Sequence, residues 1–236
     1  APHPSAKITS IDTSKASAVK GVAGIFTAKD VPGELKTGGV IQDHEIFVTD
    51  VTRYHGDVIA MIAAETLEAA REARDKIDVR YEPVAAVFSP EDAIKPDAPS
   101  IHPERGSNVC CHYPVRRGDL EKGFKGSDRL IEREYRTQHV EHAYMEPEGC
   151  VAVANKDGSV TVHGGMQHPF TAQRFTARAT GLPLNKVQMI QTTLGGGFGG
   201  KDDTISIICA RAAIIALKLG RPVKVVYTRE ESVRES

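Results

Sequence analysis

Neither charge is in excess in this sequence: 30 Lys+Arg face 31 Asp+Glu, a formal net charge of −1 over 236 residues. That balance argues against the nonspecific electrostatics by which basic chains hold nucleic acid or anionic membranes. Apolar runs are short, and none approaches the ~18 residues of a membrane span. The opening APHPSAKITS lacks the basic and apolar regions of a signal peptide. A cytoplasmic setting is therefore the default expectation. Cysteine is scarce as well. Cys110, Cys111, Cys150 and Cys209 form no CxxC pair, and two adjacent thiols do not supply ordinary zinc-ligand spacing, so neither zinc nor an iron–sulfur cluster is expected within the chain. What is present is a 40% hydrophobic composition, enough to bury a real core in one large domain or two ordinary ones.

Residues 1–95 alternate strand and helix signals. AKITSID, VAGIFT and DVIAMIAAE read as strands, and DVRYEPVAAVFS as strands interrupted by Pro83. Between them TLEAAREARDKI places Leu67, Ala70, Ala73, Arg74 and Ile77 at helical spacing, with Thr66 as N-cap. Residues 96–118 hold Pro96, Pro99, Pro103, Pro114, Gly106 and Gly118, a composition suited to an extended connector.

From 119 to 236 a second α+β domain is expected. RLIEREYRTQHVEHAY reads as a strand region, and VAVANKDGSVTVHG as a hairpin turning at Lys156, Asp157 and Gly158. Pro169 suits a first helical turn and Gly181 with Pro183 a helix end, which puts Gln167 and His168 at a helix N-terminus. KVQMIQTTL is a strand entering LGGGFGGKDD, and TISIICARAAIIALKLG is apolar on nearly every face. Separated from partner domains, that helix is expected to leave an exposed apolar patch that drives self-association.

The glycine loop, five glycines around Phe198 between Gly195 and Gly200, admits three readings. A P-loop needs a hydroxyl after its lysine, and here Asp202 and Asp203 follow Lys201, where they would repel a triphosphate. A GxGxxG dinucleotide site needs a ribose-binding acid about 20 residues on; the first acid after the second strand is Glu230. A plain tight turn explains one or two glycines, not five. His139 and Glu141 form an HxE without the PCxxC of a zinc deaminase, and Glu146 and Glu148 in EPEG could pose as an acid and base pair.

GGGFGGKDD, preceded by QHPF and by EHAYMEPEGCVAV, resembles the molybdenum-binding subunit of the xanthine dehydrogenase and aldehyde oxidase family. AKITSIDTSKASAVKGVAGIFTAKDVPG, YHGDVIAMIAAETLEAAREA and VRYEPV resemble its α/β hammerhead domain, so the resemblance spans almost the whole chain. It implies an α+β fold: a hammerhead domain over 1–95, then, from 119, the first part of a molybdopterin-binding mixed α/β domain, in which the EPEG segment with Glu146 and Glu148 is structural.

The resemblance also implies a molybdopterin cofactor carrying molybdenum, with no direct protein ligand to the metal. A metal hydroxyl would attack an electron-poor carbon and a hydride would pass to a sulfido ligand, water being the oxygen source. Iron–sulfur clusters and FAD would lie on other domains or subunits of an oligomeric parent. Gln167 matches the glutamine that hydrogen-bonds an oxo ligand, a role suited to a neutral amide donor. Gly196, Gly197, Phe198 and Gly199 match the loop against the cofactor, where missing Cβ atoms allow close approach and Phe198 screens water. Asp202 stands where xanthine dehydrogenases carry a substrate-contacting Glu, which favours a purine or related N-heterocycle over an aldehyde. An aldehyde-oxidising member of the family, and a GxGxxG nucleotide-binding module, remain alternatives. The family's catalytic Glu and a substrate-holding arginine have no counterpart in this chain, and a leading hammerhead segment has none either. An inactive isolated fragment of a longer enzyme is the expectation.

Overall fold

The computed structural model describes residues 1–235. They form two units, one made of 1–86 with 142–235, the other of 87–141.

In the first unit β1 (Ala6–Asp12) is followed by the short helix α1 (Ser14–Ser17), β2 (Val22–Phe26), β3 (Lys36–Thr37), β4 (His44–Glu45), β5 (Val51–Thr52) and β6 (Met61–Ala64). Helix α2 (Leu67–Arg74) and β7 (Asp78–Pro83) come next. β1 lies centrally between β5 and β7, antiparallel to both, while β2 pairs with β6 and β3 with β4. Thr66 caps α2 as its sequence position suggests, its Oγ1 accepting from Ala69 N–H at 3.2 Å. The buried face of that helix is shifted from the expected one. Ala69, Ala73 and Ile77 pack with Ala16 and Val19, whereas Leu67 at the helix start is exposed.

The second unit contains only two short helices, α3 (Pro90–Ala93) and α4 (Leu120–Lys125), besides a 3₁₀ turn. The strand expected from RLIEREYRTQHVEHAY does not form: residues 129–141 have no regular structure. Residues 109–140 are exposed throughout. A strand needs a partner to pair its backbone groups, and none of the sheets includes this segment.

The first unit resumes with β8 (Gly149–Ala154), β9 (Val160–Gly164), α5 (Pro169–Thr180), β10 (Val187–Gln191), α6 (Asp203–Leu219), β11 (Val223–Val226) and α7 (Arg229–Glu235). β8 and β9 make the expected hairpin, with Ala154 opposite Val160 and Gly158 at φ +79° in the turn. Pro169 opens α5 and Gly181, left-handed at φ +70°, ends it. The sheet order is β10-β9-β8-β11, β10 parallel to β9 and the other pairs antiparallel. β11 therefore lies at the far edge from β10. A dinucleotide-binding βαβ unit sets its two parallel strands side by side with the helix crossing between them; here β9 and the oppositely directed β8 stand between β10 and β11, so the GxGxxG reading fails on strand order.

Helix α6 is covered on both sides. Ile205, Ile208, Cys209, Ala212, Ala213 and Ala216 pack on the sheet, while Ile207, Ala210 and Ile214 pack against Ile46 and Phe47 from the first part of the chain and Phe175 and Ala179 of α5. The exposed apolar patch expected of this helix is absent, because residues 44–48 supply its second cover. Two polar side chains of the helix are fully buried: Ser206, whose Oγ donates to the Asp202 carbonyl at 2.7 Å, and Arg211, which donates from Nε to the Ile46 carbonyl at 2.5 Å and from Nη1 to Glu235. Each buried isoleucine contributes about 1.5–3 kcal/mol, so this helix is the anchor of whatever precedes it.

Candidate functional site

β9 and β10 run side by side in parallel, so their C-terminal ends open at the same edge of the sheet. β9 leads through Gly164, Gly165 and Met166 to Gln167, and β10 leads through Thr192–Leu194 to the glycine loop. The crevice beyond the carboxyl ends of parallel strands is where open α/β sheets hold ligands. Sequence segments 28 residues or more apart are thereby brought together, as residues 167 and 195 show.

The loop and Gln167 interlock. Gln167 Oε1 accepts from the N–H of Gly199 at 2.9 Å and of Lys201 at 3.3 Å, and Gln167 N–H donates to the Lys201 carbonyl at 2.8 Å. With its oxygen so engaged, the amide turns Nε2 outward, where it has no partner among the described residues. A Cβ at Gly197 would stand 2.3 Å from Gln167 Oε1, a separation no side chain allows. Phe198 holds φ +53°, a strained value for a side-chain-bearing residue, and is 79% exposed. It is not a core residue; its ring is held out over the loop. Strain of this kind persists only where surrounding contacts fix it, and it concentrates at functional sites.

Behind the loop lies a charged support. Lys201 is fully buried, its Nζ 2.7 Å from Glu146 Oε2 and 4.8 Å from the centre of the Tyr144 ring. Arg229 lies over the same ring at 5.5 Å and donates to the Tyr144 carbonyl. Burial raises the Glu146 pKa, but the Lys201 hydrogen bond, the Gly195 N–H and the Lys201 charge outweigh it and hold the carboxyl below its ordinary range. Glu148 shows the opposite. It is wholly buried, neither oxygen has a partner at full hydrogen-bond geometry, and burial raises its pKa against the weaker pull of its own N–H, Ser232 and Lys201. Asp202 turns toward His168, Oδ1 to Nδ1 2.8 Å. Among the described residues no group of three or more His, Cys, Asp or Glu side chains converges as metal ligands.

The molybdopterin cofactor-binding domain family matches residues 101–236, and the aldehyde oxidase and xanthine dehydrogenase a/b hammerhead domain family matches residues 1–85. The chain belongs to the xanthine dehydrogenase and aldehyde oxidase family. It is similar to a probable xanthine dehydrogenase subunit of Bacillus subtilis, 41% identical over 232 residues, which are 98% of this chain and 31% of that one. It is also similar to the nicotinate dehydrogenase large molybdopterin subunit of Eubacterium barkeri, 36% identical over 99% of this chain and 54% of that one. In structure it resembles the aldehyde oxidoreductase of Desulfovibrio gigas, with a TM-score of 0.89, 27% identity, and 100% of this chain covering 27% of that one. The chain thus spans from about a quarter to about half the length of these relatives. The cofactor of the family is molybdopterin with molybdenum, and its iron–sulfur and flavin groups sit on other parts of its enzymes.

For a family member, the residues gathered here fit that cofactor by their own chemistry. They offer a preset amide donor, exposed backbone and a cradle that a Cβ would fill. The structure brings Gln167, Gly196, Gly197, Phe198, Gly199 and Asp202 to one edge. Sequence reasoning treated Glu146 as a bystander and Lys201 only as a failed P-loop lysine. A carboxylate in EPEG and a lysine closing a glycine run were the available signals, but nothing local says that they meet across 55 residues. No helix among the described residues is long and apolar enough to cross a membrane.

Proposed function

We propose that this chain forms the part of a molybdenum hydroxylase that holds the oxygen side of the molybdenum centre. The parent enzyme hydroxylates an electron-poor carbon of a purine or related N-heterocycle with oxygen from water. The observation that carries this is the pinned Gln167 amide, whose Oε1 is occupied by loop N–H groups while Nε2 stays free beside a backbone too close for any Cβ. When bound, the cofactor supplies two-electron redox chemistry. Gln167 Nε2 donates to an oxygen of the cofactor, and Gly196, Gly197 and Gly199 let backbone close on it. Phe198 excludes water, and Asp202, oriented by His168, faces substrate. In this reading the hammerhead-type domain spans 1–95, the connector 96–118, and the cofactor domain begins at 119. Electrons leave to iron–sulfur and flavin groups on other domains or subunits of an oligomer.

A second reading, an aldehyde-oxidising member, is favoured by the likeness to aldehyde oxidoreductase. Against it stands a carboxylate and imidazole pair at the mouth, more polar than an aldehyde requires. Assay of the intact parent against purines, pyridine carboxylates and aldehydes, with metal analysis, separates the two. Heterocycle preference with stoichiometric molybdenum is expected; aldehyde preference favours the second reading, and absence of molybdenum rejects both.

A further inference from the structure

One carboxylate oxygen closes the glycine loop. Glu146 Oε2 accepts from the Gly195 N–H at 2.6 Å where the loop begins and from Lys201 Nζ at 2.7 Å where it ends. The approach at the first end is so close that a Cβ on Gly195 would stand 2.5 Å from Glu146 Cβ. At the other end the Lys201 side chain is wholly buried, so its ammonium depends on Glu146 and the Tyr144 ring. A surface ion pair adds little, but a buried charge that loses its partner is costly, so this contact is held. The backbone of Lys201 is in turn locked to Gln167 in both directions.

We propose that Glu146 and Lys201 are positioning residues that aim the Gln167 amide. The inference rests on the reading of Gln167 given above. The path has three links. Glu146 fixes the Lys201 side chain, the fixed side chain sets the Lys201 N–H and carbonyl, and these, with the Gly199 N–H, set which way Gln167 Nε2 faces. Because the same oxygen also holds Gly195, both ends of the loop move if it is lost.

The test uses this chain itself, with amide hydrogen exchange and the NMR signal of the Gln167 side-chain NH₂. Glu146→Gln keeps size at a half-exposed position and removes the charge. Exchange at Gly195–Lys201 should accelerate by about tenfold or more, as expected for loss of a charged hydrogen bond. The Gln167 signal should shift, while the amides of α6 and the sheet keep their rates. Asp157→Asn, which removes an exposed pair to Lys186, should change neither. Lys201→Met, if it folds, should add nothing further when combined with Glu146→Gln, since both break one contact. Unchanged loop exchange in Glu146→Gln overturns the proposal, as does a loosened loop with an unmoved Gln167 signal, or acceleration spread evenly over the fold. Failure of the cofactor reading shows elsewhere: if Gln167→Ala leaves turnover of the parent enzyme intact, that reading falls while the exchange result still decides the role of Glu146 and Lys201.

Discussion

The glycine loop and the segment 109–140, irregular apart from the short helix α4, are both largely unstructured backbone, yet they differ in hydrogen bonding and burial. In the loop, Gly195, Gly199, Gly200 and Lys201 each donate a backbone N–H to a named acceptor, and Gly197 and Gly200 are buried. In 109–140 every residue is exposed, including Tyr113, Val115, Ile131 and Tyr135. The loop is continuous with β10, which packs into the core through Val187 and Met189, and with α6, which is covered on both sides. Irregular backbone becomes a site where regular elements at both ends anchor it; apolar residues alone do not suffice.

Four substitutions would break or sharpen that contrast. Ile214→Ala removes a fully buried side chain between α6 and its second cover and should cost about 2–5 kcal/mol of unfolding free energy, measured by denaturant titration. Gly197→Val places an isopropyl group where only Gln167 Oε1 has room. In the parent enzyme it should lower turnover by about 10²-fold or more, the scale of a displaced catalytic group. Asp202→Asn weakens the pairing with His168; it should shift the kcat/KM ratio of heterocycle to aldehyde by about tenfold, with molybdenum content unchanged. Tyr135→Ala, in the exposed segment, should leave the stability of the chain within about 0.5 kcal/mol. A large loss there would contradict the account of 109–140 as unanchored.

Local signals were legible where one segment carries its own determinants. The Thr66 cap, the β8–β9 turn at Gly158, and Pro169 and Gly181 bounding α5 were readable because each acts within a few residues. The 129–141 strand was misread because alternation describes a face, and a face needs a neighbour that the sequence does not name. The second cover of α6 was missed for the same reason, since Ile46 and Phe47 lie more than 150 residues away from Ile207. At the site, Gln167 and the loop glycines were legible as a motif. The contact of Glu146 with Lys201 was not, for it exists only once β8, β9 and β10 are assembled.

The central claim is that Gln167, pinned through its oxygen by the loop, presents a donor to the molybdenum centre. Gln167→Ala in the intact parent enzyme tests it most directly, with molybdenum content and turnover measured on the same preparation. The account predicts a full complement of molybdenum and turnover lower by about 10²-fold, the effect of removing one preorganised donor. Turnover within a factor of about two of the unsubstituted enzyme, with molybdenum in place, would put the donor elsewhere and contradict the account, the rate ratio measuring the lost stabilisation.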